Sequence, residues 1–291
     1  MAVRQSARAG TAAARSIKSA TPLWCAAAPN AQVHAISSLV TVSTSSSSNT
    51  KGAWQQLLSA ASNTADTGLL LLMNPLTIFT GDNACLIDIG TGTSGSESVL
   101  ISNIASAGQQ ANASCQVLPI PIFIPSGTRI AYRAQVAASG AQTVYMLVAL
   151  AKTSGMHLLP RSVDSLGVTA STSHATALTG TANVTYTPIV SSTPQPYQSL
   201  VLNISSASKT GINANFRATL AVGPSGGEVD LCTVDARQET NGNLNWSNTY
   251  MTFLGLPGGG YIPAGSRISV KHNIAANPGY LEASVIGVPY G

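Results

Sequence analysis

Ile124-Pro125-Ser126-Gly127-Thr128-Arg129-Ile130 returns 138 residues later as Ile262-Pro263-Ala264-Gly265-Ser266-Arg267-Ile268. Pro fixes φ at the first turn position, Gly supplies a position with φ > 0, and the chain then enters an extended run at Arg. Two further matches keep the same order along the chain. Trp54-Gln55-Gln56-Leu57-Leu58 can be set against Tyr197-Gln198-Ser199-Leu200-Val201, and Ile87-Asp88-Ile89 against Val229-Asp230-Leu231. Together they predict a duplicated unit. Arg129 and Arg267 then open equivalent strands, where a guanidinium bonds carbonyls or pairs with an acid.

Around the repeat, strand signals are short and frequent. In the first half they fall at 34–42, 54–60, 68–73, 84–89, 98–101, 114–124, 128–136 and 143–149. In the second they fall at 184–187, 200–204, 216–222, 228–233, 250–254, 267–272 and 281–288. Breakers such as Asn74-Pro75, Gly81-Asp82-Asn83 and Asn241-Gly242 separate them. Alternating runs divided by turn residues, with no helical period of useful length, predict an antiparallel sandwich or barrel. The expectation is all-β: two tandem antiparallel β-sandwich, jelly-roll-like domains preceded by a basic N-terminal arm. The arm is residues 1–33, the first domain 34–154, and a connector with the second domain 155–291. The apolar run Tyr145–Leu150 is expected to be a central strand covered on both faces.

Composition narrows the class. The 291 residues are 44% hydrophobic but only 8% charged, against a usual quarter or so. A surface of hydroxyls and amides suits burial against protein or sugar better than free life in a crowded solution. The charge is also uneven. Arg4, Arg8, Arg15, Lys18 and Lys51 all precede the first acid, Asp66. Such an arm fits an acidic groove on a partner protein, and it lacks the dense Lys/Arg run of a nucleic-acid tail. Residues 1–20 also have the Arg-, Ser- and Ala-rich, acid-free profile of a transit peptide, with no apolar segment of a secretory signal. The longest apolar runs are too short to span a bilayer.

The search for chemistry finds little. Cys25, Cys85, Cys115 and Cys232 make no C-x-x-C pair, so no zinc site is expected; a Cys85–Cys115 bridge is left open. Asp82 with Asp88, or Glu228 with Asp235, could in principle face each other across a sugar. Glu228, Asp230 and Asp235 could hold calcium, though a solvated strand edge explains them as well. His34, His157, His174 and His272 are scattered, and no G-x-S-x-G elbow accompanies them. Gly90-Thr91-Gly92-Thr93-Ser94-Gly95 meets G-x-G-x-x-G only superficially, since no helix follows, and reads as a serine-rich loop. No catalytic residue, cofactor site or metal site is expected. Trp246, within Asn243-Leu244-Asn245-Trp246-Ser247-Asn248, is the candidate glycan contact.

The opening Asn49-Thr50-Lys51-Gly52-Ala53-Trp54-Gln55-Gln56-Leu57, the Ile-Pro-x-Gly-[Ser/Thr]-Arg-Ile signature and the low charge together resemble accessory virion structural proteins of tailed bacteriophages. The resemblance implies a non-enzymatic role in the virion: strings of β domains that decorate heads, necks or tails, or form fibres. The partners expected are other virion proteins, further copies of the chain and, for an attachment protein, a host-surface glycan. Neither membrane nor nucleic acid is expected as a partner. The second copy departs from the opening motif, with Ser192-Thr193-Pro194-Gln195-Pro196-Tyr197 in its place.

Overall fold

The computed structural model of the chain describes residues 32–74, 77–78, 84–107, 116–153, 159–178, 185–206, 214–238, 253–255, 261–273 and 281–290. Among them the structure is all β, interrupted by one 3-10 turn at Ala60–Ser62 that Ser59 caps. No helix of the described residues is long and apolar enough to cross a membrane.

Four antiparallel sheets form. In sheet 1, β1 (Gln32–Ile36) and β2 (Val40–Ser43) both pair with β10 (Thr143–Lys152). Strand β10 also pairs with β4 (Leu69–Asn74) and with the short β5 (Thr77–Ile78), and β4 pairs with β8 (Gln116–Ile120). Sheet 2 runs β3 (Gln55–Leu58), β9 (Ile130–Val136), β6 (Ala84–Thr91), β7 (Ser98–Ala107). In sheet 3, β11 (Asp164–Leu166) and β13 (His174–Ala177) pair with β20 (Leu281–Pro289), and β12 (Val168–Thr169) pairs with β13. Next to β20 comes β15 (Tyr197–Ser206), followed by β18 (Phe253–Gly255). Sheet 4 runs β14 (Thr187–Val190), β19 (Ile268–His272), β16 (Ala214–Val222), β17 (Val229–Gln238).

The two halves share one strand order. Sheet 1 (β1/β2-β10-β4-β8) matches sheet 3 (β11/β13-β20-β15-β18), and sheet 2 (β3-β9-β6-β7) matches sheet 4 (β14-β19-β16-β17). Non-consecutive neighbours in both sheets make each half a jelly roll. Register agrees strand by strand. Tyr132 lies opposite Ile89 and Gln55 in the first copy, as Val270 lies opposite Leu220 and Thr187 in the second.

This register corrects two of the three sequence matches. The Ile-Pro-x-Gly turn does join equivalent strands. Trp54–Leu58, however, belongs to β3 at the edge of sheet 2, whereas Tyr197–Val201 lies in β15 in the middle of sheet 3. Likewise Ile87–Ile89 lies in β6 and Val229–Leu231 in β17, which is the counterpart of β7. Short apolar runs look alike in any strand, so similarity alone does not fix which strands correspond. The stretch 155–195, expected to be mostly connector, carries β11, β12 and β13 from Asp164 onward.

Each sandwich closes over alternate side chains. From β10, Val144, Met146, Val148 and Leu150 meet Leu70, Leu72 and Ile120 of sheet 1 and Ile87, Ile89, Ile130 and Tyr132 of sheet 2. Each such aliphatic side chain contributes about 1.5–3 kcal/mol on burial. The Tyr132 hydroxyl crosses the core to the Val40 and Val144 carbonyls, at 2.9 and 3.0 Å, and so ties sheet 2 to sheet 1. In the second sandwich Leu200, Leu202, Ile204, Leu220, Val270 and Val285 do the same work.

The strand covered on both faces is not β10, whose Tyr145 and Leu147 stay partly exposed. It is β20, buried along its whole length, together with β6. The cause is the stacking of the sandwiches: β6 and β7 of sheet 2 pack against β13, β11 and β15 of sheet 3. Leu86 and Ala105 meet Ala175 there, and Val201, Ile286 and Val288 extend the first sandwich's core across the junction. The layers therefore run sheet 1, sheet 2, sheet 3, sheet 4.

Candidate functional site

The repeated turn is built the same way in both copies. Thr67 and Ile124 exchange backbone hydrogen bonds at 2.8 and 3.1 Å, and Tyr197 and Ile262 do so at 2.9 and 2.8 Å. Gly127 (φ 73°) donates to the Asn63 carbonyl and Gly265 (φ 81°) to the Thr193 carbonyl. The Asn63 amide and the Thr193 hydroxyl then bond the Pro125 and Pro263 carbonyls, each at 2.8 Å. The glycines are needed because their φ lies in the left-handed region.

Beyond the turn, each arginine closes a clamp. Arg129 donates to Glu97 (2.8 Å), to the Gly92 carbonyl (3.2 Å) and to Gln56 (2.9 Å). Arg267 donates to Glu228. Glu97 and Glu228 are each fixed from behind by a backbone N–H, of Gly95 and Gly226. Burial pushes the Glu97 carboxyl up, but Arg129 and the backbone donors outweigh it and hold the group below its ordinary range. For Glu228 the Arg267 bond is the largest influence and lowers it too. The sequence carried a signal for this. Gly92-Thr93-Ser94-Gly95-Ser96-Glu97 returns 131 residues later as Gly223-Pro224-Ser225-Gly226-Gly227-Glu228. Gly90 and Thr91 end β6 and the loop begins at Gly92; this second repeat is the partner of the first.

A second matched cluster lies on the outward faces of sheets 2 and 4. In the first copy the Arg133 guanidinium stacks 4.5 Å from the Trp54 ring and bonds Asp88 at 2.9 Å. Lys51 bonds the other Asp88 oxygen at 2.8 Å, and the Asn103 N–H joins at 2.8 Å. Burial lowers the Lys51 amine, opposed by Asp88. In the second copy Lys271 lies 4.7 Å from the Tyr186 ring and bonds Asp230 at 2.8 Å and the Tyr186 hydroxyl at 2.7 Å. Trp54 and Tyr186 precede equivalent strands; Arg133 and Lys271 occupy the same position on β9 and β19.

The clusters differ in cover. Asp88, enclosed by Lys51, Arg133 and the Asn103 N–H, keeps 4% of its side chain exposed, whereas Asp230 keeps 48%. No other described sheet lies over the outer face of sheet 4. Polar side chains share the covered junction with the apolar ones. Asn203 donates to the Ala105 carbonyl at 2.5 Å, and Gln135 donates to the Ala170 carbonyl and to Ser173 at 2.6 and 3.0 Å. Ser173 donates in turn to Asn49 at 2.7 Å. Glu282, at the root of that clasp, accepts from the Ala175 N–H at 2.9 Å and contacts His174 at 2.5 Å.

Among the described residues, those singled out from the sequence do not converge on one centre. Arg4, Arg8, Arg15, Lys18 and Trp246 lie outside the described residues, as do Asp82, Cys115 and His157. Glu228 and Asp230 bond different cations, and among the described residues no three His, Cys, Asp or Glu side chains gather as metal ligands. Cys85 is a free, buried thiol, pushed up to about 12 by burial. Tyr261 and Tyr290, which the sequence did not single out, stand edge to face with centroids 6.1 Å apart and are 56% and 52% exposed.

No protein-family model and no curated protein matches the chain. Among solved structures it is similar to one titled "Crystal Structure of the STIV MCP", with a TM-score of 0.35 and 10% identity over 88% of this chain and 96% of that one.

Proposed function

We propose that this chain is a non-enzymatic structural component of a virion, which assembles by stacking further copies onto its own open faces. The observation that supports this reading most is the unequal cover of the two matched clusters. Sheet 2 is covered by sheet 3 of the same chain around Leu86, Ala105 and Gln135, next to the Asp88 cluster, and is open at its Val99 end. Sheet 4, its counterpart, presents Tyr186, Lys271 and Asp230 to solvent, and sheet 1, the counterpart of sheet 3, presents Ile36 (61% exposed) with Tyr145 and Leu147. Sheet 4 of one copy on sheet 1 of the next would repeat the internal junction between molecules. Such a head-to-tail contact closes into a ring or extends as an array, and many weak copies add up. Jelly rolls serve viral shells and lectins alike, so the fold alone does not choose between them.

In this proposal the chain ahead of β1, residues 1–31, forms the docking arm, with Arg4, Arg8, Arg15 and Lys18 seated on an acidic surface of another virion protein. The expected boundary at 33 moves back because Gln32 and Val33 pair with β10. The chain from β1 to residue 154 and residues 155–291 are the two displayed domains. A tailed phage is the virion we infer, on the strength of the Asn49–Leu57 opening and the low charge. The test is light scattering with electron microscopy on the purified chain across a concentration series. Rings, sheets or shells of full-length protein support the proposal; a monomer at every concentration contradicts it. Removal of residues 1–31 should leave self-association intact while abolishing capture by the partner particle.

A second reading, attachment to a host-surface glycan, is favoured by the exposed Tyr261–Tyr290 pair. Aromatic faces of this kind stack on sugar rings while the hydroxyls hydrogen-bond. Tyr290→Ala should remove any glycan-array signal, and a signal unchanged by it contradicts a site there.

A further inference from the structure

The two copies differ most in chemistry where the Ile-Pro turn meets the linker. In the second copy Tyr261, just before the turn, is covered edge to face by Tyr290. In the first copy the matched residue is Phe123, and a guanidinium replaces the second ring: Arg161 lies 5.0 Å from the Phe123 centroid. Phe123 is held in place by its N–H, which donates to the Pro160 carbonyl at 2.8 Å. Beside this pair is a cavity of about 280 Å³, whose lining includes Thr91, Leu100, Phe123, Ile124, Thr128 and Arg161. That is just below the range of about 300–1,000 Å³ usual for small-molecule sites.

Arg161 stands apart from the other arginines and lysines of the first copy's turn and sheet. Lys51 and Arg133 share Asp88, and Arg129 takes Glu97. Arg161 bonds no carboxylate among the described residues; its recorded contact is the Phe123 ring, and it also lines the cavity. Guanidinium groups stack on aromatic faces while offering a planar fork to a carboxylate. The cavity walls add apolar surface from Leu100, Phe123 and Ile124, and two hydroxyls from Thr91 and Thr128.

We propose that this cavity binds a small monocarboxylate with a compact apolar body. The carboxylate pairs with Arg161, the apolar part packs on Phe123, Leu100 and Ile124, and the threonine hydroxyls supply the remaining hydrogen bonds. A neutral amide of the same shape keeps the packing and loses the charge-assisted pair.

The experiment is an NMR titration of the full chain with benzoate and, separately, benzamide. Benzoate should shift the amides of Thr91, Leu100, Phe123 and Thr128 with a dissociation constant in the millimolar range, on the order of 1–10 mM. Benzamide should bind about tenfold more weakly, the loss expected for one hydrogen-bonded ion pair. Arg161→Gln should weaken benzoate by about the same factor and leave benzamide unchanged. Because Arg161 is exposed, the variant's thermal midpoint should match that of the parent. Equal affinities for benzoate and benzamide, benzoate binding indifferent to Arg161→Gln, or no saturable shift up to about 20 mM would each overturn the proposal.

Discussion

A glycine and a tryptophan show how finely the two copies are fitted. A Cβ on Gly90 would stand 2.7 Å from the Trp54 ring, closer than real contacts allow. In the second copy the matched position holds Ala221, and the ring is the smaller Tyr186. Gly90→Ala should therefore cost about 1–3 kcal/mol, the usual range for overpacking. Trp54→Tyr in the same chain should recover part of that loss, so urea melts of the four proteins in this cycle should show non-additivity. Asp88 supports a second test. Asp88→Asn leaves Lys51 and Arg133 facing each other with little water, and should cost about 3–5 kcal/mol in the same melts. Cys85, its thiol pushed up to about 12, should resist alkylation at pH 8 until the chain unfolds. None of these partnerships could be read from sequence. Asp88 meets Arg133 through the register of β6 on β9, and Lys51 joins them because its loop bonds β9 through the Asn49 and Gly52 N–H groups; sequence spacing encodes neither.

At the scale of elements, the repeated clamps join the β6–β7 and β16–β17 hairpins to the turns before β9 and β19. Both carboxylates sit below their ordinary range. A carboxylate whose folded-state value is depressed adds stability above its unfolded value, near 4.3, and loses it as pH falls through the depressed value. Thermal midpoints should therefore drop below about pH 4. The Arg129→Ala, Arg267→Ala double variant should start lower at neutral pH and show a shallower acid drop. An unchanged acid limb would show that the clamps do not set it. The elements themselves were largely legible. Most of the expected strands coincide with observed ones, because alternation and turn residues are local signals. The exceptions have physical causes. The run 34–42 is split between β1 and β2, and β11–β13 are two to four residues each, too short for a period to register. The arginine clamp was half legible, since each arginine was expected to find a carbonyl or an acid, while the identity of that acid depended on a second repeat.

For the whole molecule, the all-β tandem follows from the repeat, but its stacking does not. Whether two sandwiches lie in line or face to face depends on the outer faces of sheets 2 and 3, where Gln135, Asn203, Ser173 and Glu282 are buried polar residues that sequence alone assigns to solvent. The same stacking leaves sheets 1 and 4 uncovered by any other described sheet, and on this the proposed assembly rests. Its most direct test uses two variants that each spoil one face. Ile36→Arg charges the outer face of sheet 1, and Thr233→Arg that of sheet 4; both residues are exposed, so both variants should fold. Sedimentation velocity of each alone, and then of an equimolar mixture, separates the outcomes. Each variant alone should be monomeric where the parent associates, and the mixture should give a heterodimer that grows no further, one intact sheet 4 on one intact sheet 1. Association of either variant alone at parental strength, or a mixture that stays monomeric while the parent assembles, would contradict the stacking of copies through these faces.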